Sequence, residues 1–196
     1  HEKKTNLIEL GLLVFIFSAL GLKWHLAFTL ELHWDEFNYL SAVHAYLRGD
    51  LATILQSFHV HFFSWLPTVS ENEVFQIFAA RIVLLLLFSG ACFLIFLIGK
   101  QFLNRSGALF SVLCYISLSN IIIHGASFRP DSICSFFFLF SIYYITAKHT
   151  SVFSFMLSGA TMALALMFSI KTLFYLLTVG CILGCLLIFV PQKKQV

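Results

Sequence analysis

Apolar residues run along this chain in long blocks parted by short polar clusters. The blocks are Leu7 to Phe28, Val74 to Ile98, Gly107 to Ile123, Ser132 to Ala147, and a longer one from Val152 to Val190 whose only charged residue is Lys171. Apolar runs of roughly twenty residues read as helices that cross a bilayer, because lipid leaves backbone groups no partner except those within the helix. One helix over the whole last block would overshoot a bilayer, so the pattern divides it at Ser169-Ile170-Lys171-Thr172, although no Gly or Pro marks a turn there. The alternation of an outer-membrane barrel is not visible. The expectation is an all-α integral membrane protein with about six transmembrane helices in a single domain over residues 1–196.

The connection from Glu31 to Glu73 is the one long interruption, and it is too apolar for a solvated loop. Trp34, Phe37, Leu40, Val43 and Leu47 recur at helical spacing, so Leu32 to Leu47 reads as an amphipathic helix. Asp35 sits in its first turn, where a carboxylate complements the helix dipole, and Gly49 suits its end. Asp50 suits the start of a second short helix, Leu51 to Phe58. The reading is two amphipathic juxtamembrane helices lying flat in the first outer loop.

Composition agrees with a membrane protein. Hydrophobic residues make up 60% and charged residues 11%, with a mean hydropathy of +0.92. Soluble domains carry about a quarter charged residues. The net charge of +3 says less than its distribution. With the N-terminus cytoplasmic, inner connections hold Lys3, Lys4, Lys100, Arg105, Lys148, Lys193 and Lys194. The outer side holds Arg48, Arg129 and Lys171, with Lys23 and Arg81 near outer span ends, a mild positive-inside bias. Most acids fall outside: Glu31, Asp35, Glu36, Asp50, Glu71, Glu73 and Asp131. Polar chemistry is therefore concentrated on one face. Cys92, Cys114, Cys134, Cys181 and Cys185 lie in apolar runs, form no CxxC pair and read as small buried hydrophobes. No P-loop, GxSxG, HExxH or GxGxxG pattern occurs, and nothing points to nucleic acid.

Asp35 and Glu36 lead the candidates for chemistry. Adjacent residues on a helix diverge by about 100°, so one faces a cavity and the other faces solvent or a basic partner. A carboxylate at a membrane-proximal helix start can serve as a general base; equally, the two acids can be a capping pair on a surface helix. In "HGASFRPDS", Arg129 and Asp131 emerge on the same face, either as a snorkelling cation and a helix cap, or with Arg129 against a lipid-linked phosphate or Asp131 in the same cavity as Asp35. Lys171 is either a turn residue reaching headgroups or a counter-charge for that phosphate. Arg81, about two turns into its span, either lines the same cavity or pairs with Glu73. His59 and His61 would face one way in an extended loop and with an acid could bind a metal, but two His at this spacing are a weak signal, interfacial packing is the favoured reading and no metal is assigned.

These stretches together resemble the start of the GT-C glycosyltransferases. Similarity is greatest to the branch holding the protein O-mannosyltransferases and the lipid A aminoarabinose transferase. The resemblance rests on "DEFNY" and "HAYLRGD" after the first span, and on "HVHFFSWLP", which lacks the family's adjacent prolines. It continues through "FAARIVLLLLFSG", "GKQFLNRSGALFSVLCYISLSN", "RPDSICSFFFLFSIYY" and "SIKTLFYLL", covering about residues 8 to 185. It implies transfer of a sugar from a polyprenyl-phosphate-linked donor to a lipid, glycan or protein acceptor on the periplasmic or lumenal side of a bacterial inner membrane or the ER. Asp35 would be the general base, with inversion. Glu36 would orient the site, and Arg129 or Lys171 would neutralise the leaving phosphate. Arg81, Asp131 and the motif tyrosine, Tyr39, would line it. A divalent metal is optional in that superfamily. Members usually carry more spans, so the chain reads as the N-terminal part of a longer module or as a split subunit. A non-catalytic membrane scaffold with the same fold is the alternative, and a transporter subunit is a third.

Overall fold

A computed structural model describes residues 2–50, 57–118, 121, 125, 127–147 and 151–189. Among them the chain is all-helical: α1 Glu2–Thr29, α2 Trp34–Arg48, α3 Ser57–Phe62, α4 Leu66–Val69, α5 Glu73–Phe102, α6 Arg105–Ile116, α7 Asp131–Thr146, α8 Val152–Phe168 and α9 Thr172–Phe189. Two helices are long and apolar enough to cross a bilayer, Asn6–Thr29 within α1 and Glu73–Phe102. The other apolar helices are shorter, so six complete spans are not what the described helices show. The third apolar block leaves the helix at Ile116, where the Ser117 hydroxyl and N–H both turn to the Leu113 carbonyl. Its end near Ile123, most of the expected helix Leu51 to Phe58, and the Lys193-Lys194 tail fall outside the described residues.

α5 is the central element, packed between α6 and α7. α1 closes on α6 and α5, α8 packs against α7, and α9 lies against α7 and α8. Small residues set the close approaches. A Cβ on Gly99 would lie 3.1 Å from the Ala108 backbone, and one on Gly90 would lie 2.7 Å from the Phe136 ring. Ser141 and Ser158 hydroxyls meet at 2.8 Å across the buried α7–α8 seam, satisfying each other where no water reaches. Outward faces carry Leu7, Phe15, Phe17, Leu86, Phe93, Phe153, Met156, Phe174 and Leu177, all exposed. Apolar surface on this scale belongs against lipid, which makes this a membrane protein.

The break within the last apolar block lies where Lys171 marked it. α8 ends at Phe168, Ser169 is extended, and α9 begins at Thr172. The Ala165 carbonyl takes the Ser169 N–H at 3.2 Å and the Thr172 hydroxyl at 3.0 Å, so hydroxyl chemistry ends the helix without Gly or Pro. Cys92 and Cys134 are buried as expected, whereas Cys114 and Cys181 stand on exposed helix faces.

The short helices α2, α3 and α4 gather at the end of α5 that begins at Glu73. α2 buries Leu40 and Val43 in a cluster with Phe63, Leu66, Ile77, Leu84, Phe128 and Phe168. Trp34 and Leu47, at its two ends, stay exposed. Gly49 closes α2 at φ 77°, a left-handed conformation open to glycine at little cost.

Candidate functional site

The site is built from the start of α2. His33 caps the helix: its Nδ1 accepts the Asp35 N–H at 3.4 Å, and its own N–H donates to Glu36 Oε2 at 3.0 Å. This reciprocal arrangement turns Glu36 inward, where it is fully buried. Arg81 on α5 meets it with two hydrogen bonds, Nε to Oε1 at 2.9 Å and Nη2 to Oε2 at 2.6 Å. The Phe128 N–H donates to Oε1 at 2.6 Å. Arg81 Nη1 also donates to the Ala27 carbonyl at 2.6 Å and the Leu30 carbonyl at 3.3 Å, covering acceptors that the end of α1 leaves unpaired. One ion pair thus ties α1, α2, α5 and the segment before α7. Burial alone would raise the Glu36 pKa. Arg81, with the Phe128 and His33 N–H groups, outweighs that and holds it below the ordinary carboxylate value.

Asp35, about 100° round the helix, faces the other way. Its carboxylate is half-buried, with Oδ2 3.5 Å from His33 Nδ1 and 3.6 Å from Arg129 Nη1. Arg129 precedes Pro130, after which α7 begins. Its Nε is 3.4 Å from Asp131 Oδ2 but makes no hydrogen bond there, so that buried N–H is unsatisfied. Asp131 Oδ1 then meets Lys171 Nζ at 3.3 Å. Asp35, Arg129, Asp131 and Lys171 therefore form a chain of alternating charge across one end of the bundle. Neither Asp131 nor Ser132 caps α7 with its side chain; Ser132 donates to the Gly125 carbonyl at 2.6 Å.

A half-open cavity of about 220 Å³ adjoins this chain, with Arg129, Asp131 and Lys171 on its wall beside Ser132, Ser135 and Tyr175. Asp35 lies beside Arg129 rather than on that wall. Arg81 is not on it either: its guanidinium is committed to Glu36, not to Glu73 and not to the cavity. Tyr39 packs its ring 5.2 Å from His59 and 6.4 Å from Phe128. Burial and then the Asp131 charge raise its phenol pKa, so it is a neutral hydrogen-bonding group at physiological pH.

The two histidines do not make a shared site. They lie on helix α3, not in an extended loop, and residues two apart on a helix diverge by about 200°. His59 is buried among Tyr39, Phe63 and Phe128, and burial lowers its pKa to about 4. His61 is exposed, edge-on to Tyr46 at 4.4 Å. Among the described residues no group of three His, Cys, Asp or Glu is placed to hold a metal ion.

Gln76 is the polar residue that sequence reasoning missed. It is buried on α5, accepts from His44 Nε2 at 2.9 Å, and donates to the Ser70 carbonyl at 2.6 Å, clamping α2 and the start of α5 together. An amide within the apolar run five residues before Arg81 was the available signal.

Residues 59–196 match the dolichyl-phosphate-mannose-protein mannosyltransferase family, more than two thirds of the chain. The chain belongs to this family. It is thereby a membrane glycosyltransferase-family protein of GT-C type. The matched stretch contains Arg81, Arg129, Asp131 and Lys171, and it begins after Asp35, Glu36 and Tyr39. No curated protein and no solved structure matches the chain.

Proposed function

We propose that this mannosyltransferase-family chain transfers a sugar from a polyprenyl-phosphate-linked donor to an acceptor hydroxyl at the outer or lumenal membrane face, with inversion. The observation that carries this reading is the alternating chain Asp35–Arg129–Asp131–Lys171 beside a cavity at one end of an apolar helix bundle. A donor whose lipid lies in the bilayer delivers its phosphate to the membrane surface, where these groups emerge. Asp35 takes the proton as the acceptor oxygen bonds to the sugar's anomeric carbon. The bond from that carbon to the phosphate oxygen breaks, and the electron pair leaves with the phosphate. Arg129 and Lys171 hold the developing charge. Before donor binds, Arg129 is shared between Asp35 and Asp131. A phosphate drawing on Arg129 frees the Asp35 carboxylate for the proton.

Glu36 and Arg81 position Asp35 and do not touch the reactants in this reading. Tyr39 and Asp131 shape the acceptor side. In this reading the N-terminus is cytoplasmic. The test is sugar transfer by the full protein in vesicles charged with a polyprenyl-phosphate sugar donor. Wild type transfers and Asp35→Asn loses about two to four orders of magnitude in kcat. Unchanged transfer by Asp35→Asn removes the general-base role. No transfer by wild type across a panel of lipid donors leaves the non-catalytic scaffold.

A further inference from the structure

Of the four linked residues, Arg129, Asp131 and Lys171 line the cavity, so its wall carries two positive charges and one negative. A further cation stands behind the cavity wall. Lys23 on α1 is buried, and its Nζ donates to the Ile121 carbonyl. The ammonium lies 5.6 Å from the centroid of the Phe88 ring. Phe88, Ile121 and Gly125 all line the cavity that Arg129, Asp131 and Lys171 share. A Cβ on Gly125, which lines the cavity, would lie 3.1 Å from Lys23 Nζ, so the ammonium abuts the cavity's lining there. A lysine embedded in a membrane helix is costly to keep unless it serves a buried partner or a site.

We infer that Lys23 adds a third cation to the two on this cavity's wall and is a binding residue for a phosphate group there. It turns toward the anion past Gly125. The inference rests on the proposed phosphate role of the cavity and adds to it a residue from the first span, more than a hundred residues before the others in sequence.

The experiment measures binding of farnesyl phosphate, inorganic phosphate and farnesol to the full protein in lipid nanodiscs. Lys23→Gln keeps a donor for the Ile121 carbonyl and removes the charge. It is expected to weaken both phosphates roughly tenfold and leave farnesol unchanged. Lys23→Arg retains binding within about threefold. The ratio of the two wild-type phosphate affinities identifies the occupant as lipid-linked or free phosphate. In transfer assays Lys23→Gln raises donor KM while kcat is retained, the mark of lost ground-state binding. Equal losses for farnesol and farnesyl phosphate would assign Lys23 to packing and overturn the inference. So would a wild-type phosphate preference that Lys171→Met abolishes and Lys23→Gln leaves intact. A wild type that binds farnesyl phosphate no more tightly than farnesol instead removes the phosphate site itself. If Lys23→Gln does not fold, the nitrogen resonance of Lys23 Nζ in labelled wild type decides. It shifts with farnesyl phosphate and not with farnesol, and no shift with either phosphate overturns the inference.

Discussion

At the start of α2, Glu36 is closed in on every side, its two oxygens accepting from Arg81 Nε and Nη2, the Phe128 N–H and the His33 N–H at 2.6 to 3.0 Å. The carboxylate of Asp35, one residue earlier, reaches Arg129 and His33 only at 3.6 and 3.5 Å and remains partly in solvent. Both are acids on one turn of one helix, and each is paired with an arginine. The difference is spare capacity. A carboxylate with four donors has no lone pair left for a substrate, so it fixes geometry. A carboxylate held loosely can exchange its partner for a reacting hydroxyl. The same contrast separates the arginines: Arg81 also covers the end of α1, whereas Arg129 leaves a buried N–H unsatisfied beside the cavity.

The largest expected effects test this contrast directly. Asp35→Asn loses about two to four orders of magnitude in transfer with its thermal unfolding midpoint almost unchanged. Glu36→Gln or Arg81→Met leaves one buried charge uncompensated and costs about 3–5 kcal/mol of stability, read as a lowered unfolding midpoint in nanodiscs. Arg81→Lys does not rescue, because an ammonium cannot span both oxygens of Glu36 and the α1 carbonyls together. If Asp35→Asn melts as low as Glu36→Gln, the two acids are equivalent and the contrast fails.

Two smaller effects depend on pH and exposure. Glu36 has a folded pKa below 4.5, so its contribution to stability is present above that value and is lost as pH falls through the lowered one. His59 has a folded pKa of about 4 against 6.5 for the free side chain. Between those values the unfolded chain binds the proton and the folded chain does not. Stability therefore falls by about 1.4 kcal/mol per pH unit on going from pH 6.5 toward 4, and is level above 6.5. His59→Phe removes that slope, and an unfolding series from pH 7 to 4.5 measures it. The smallest change is Asp50→Asn. It breaks the exposed Arg48–Asp50 pair at 3.3 Å and costs less than about 1 kcal/mol. A larger loss there would mean that exposed pairs at this end of the bundle are not interchangeable.

Much of the helical architecture was legible in the chain. Apolar periodicity placed α2 within two residues of its ends, Gly49 marked its stop, and Lys171 marked the break between α8 and α9. These are local matters, settled by backbone conformation and by which few residues must avoid lipid. The gathering of Asp35, Arg129, Asp131 and Lys171 followed from placing alternate connections on one side of a membrane. What tertiary structure alone decided was who answers whom. Adjacent acids 100° apart on a helix are equivalent until the packing of α5 brings Arg81, 45 residues away, against one of them. His59 read as an interfacial packing residue with a weak claim to a metal until Tyr39, Phe63 and Phe128 enclosed it, and Gln76 looked unremarkable until His44 and Ser70 met it. The physical reason is range. Helix periodicity is written over four residues, whereas the cost of burying a charge or an amide is settled by groups that only the folded chain brings near.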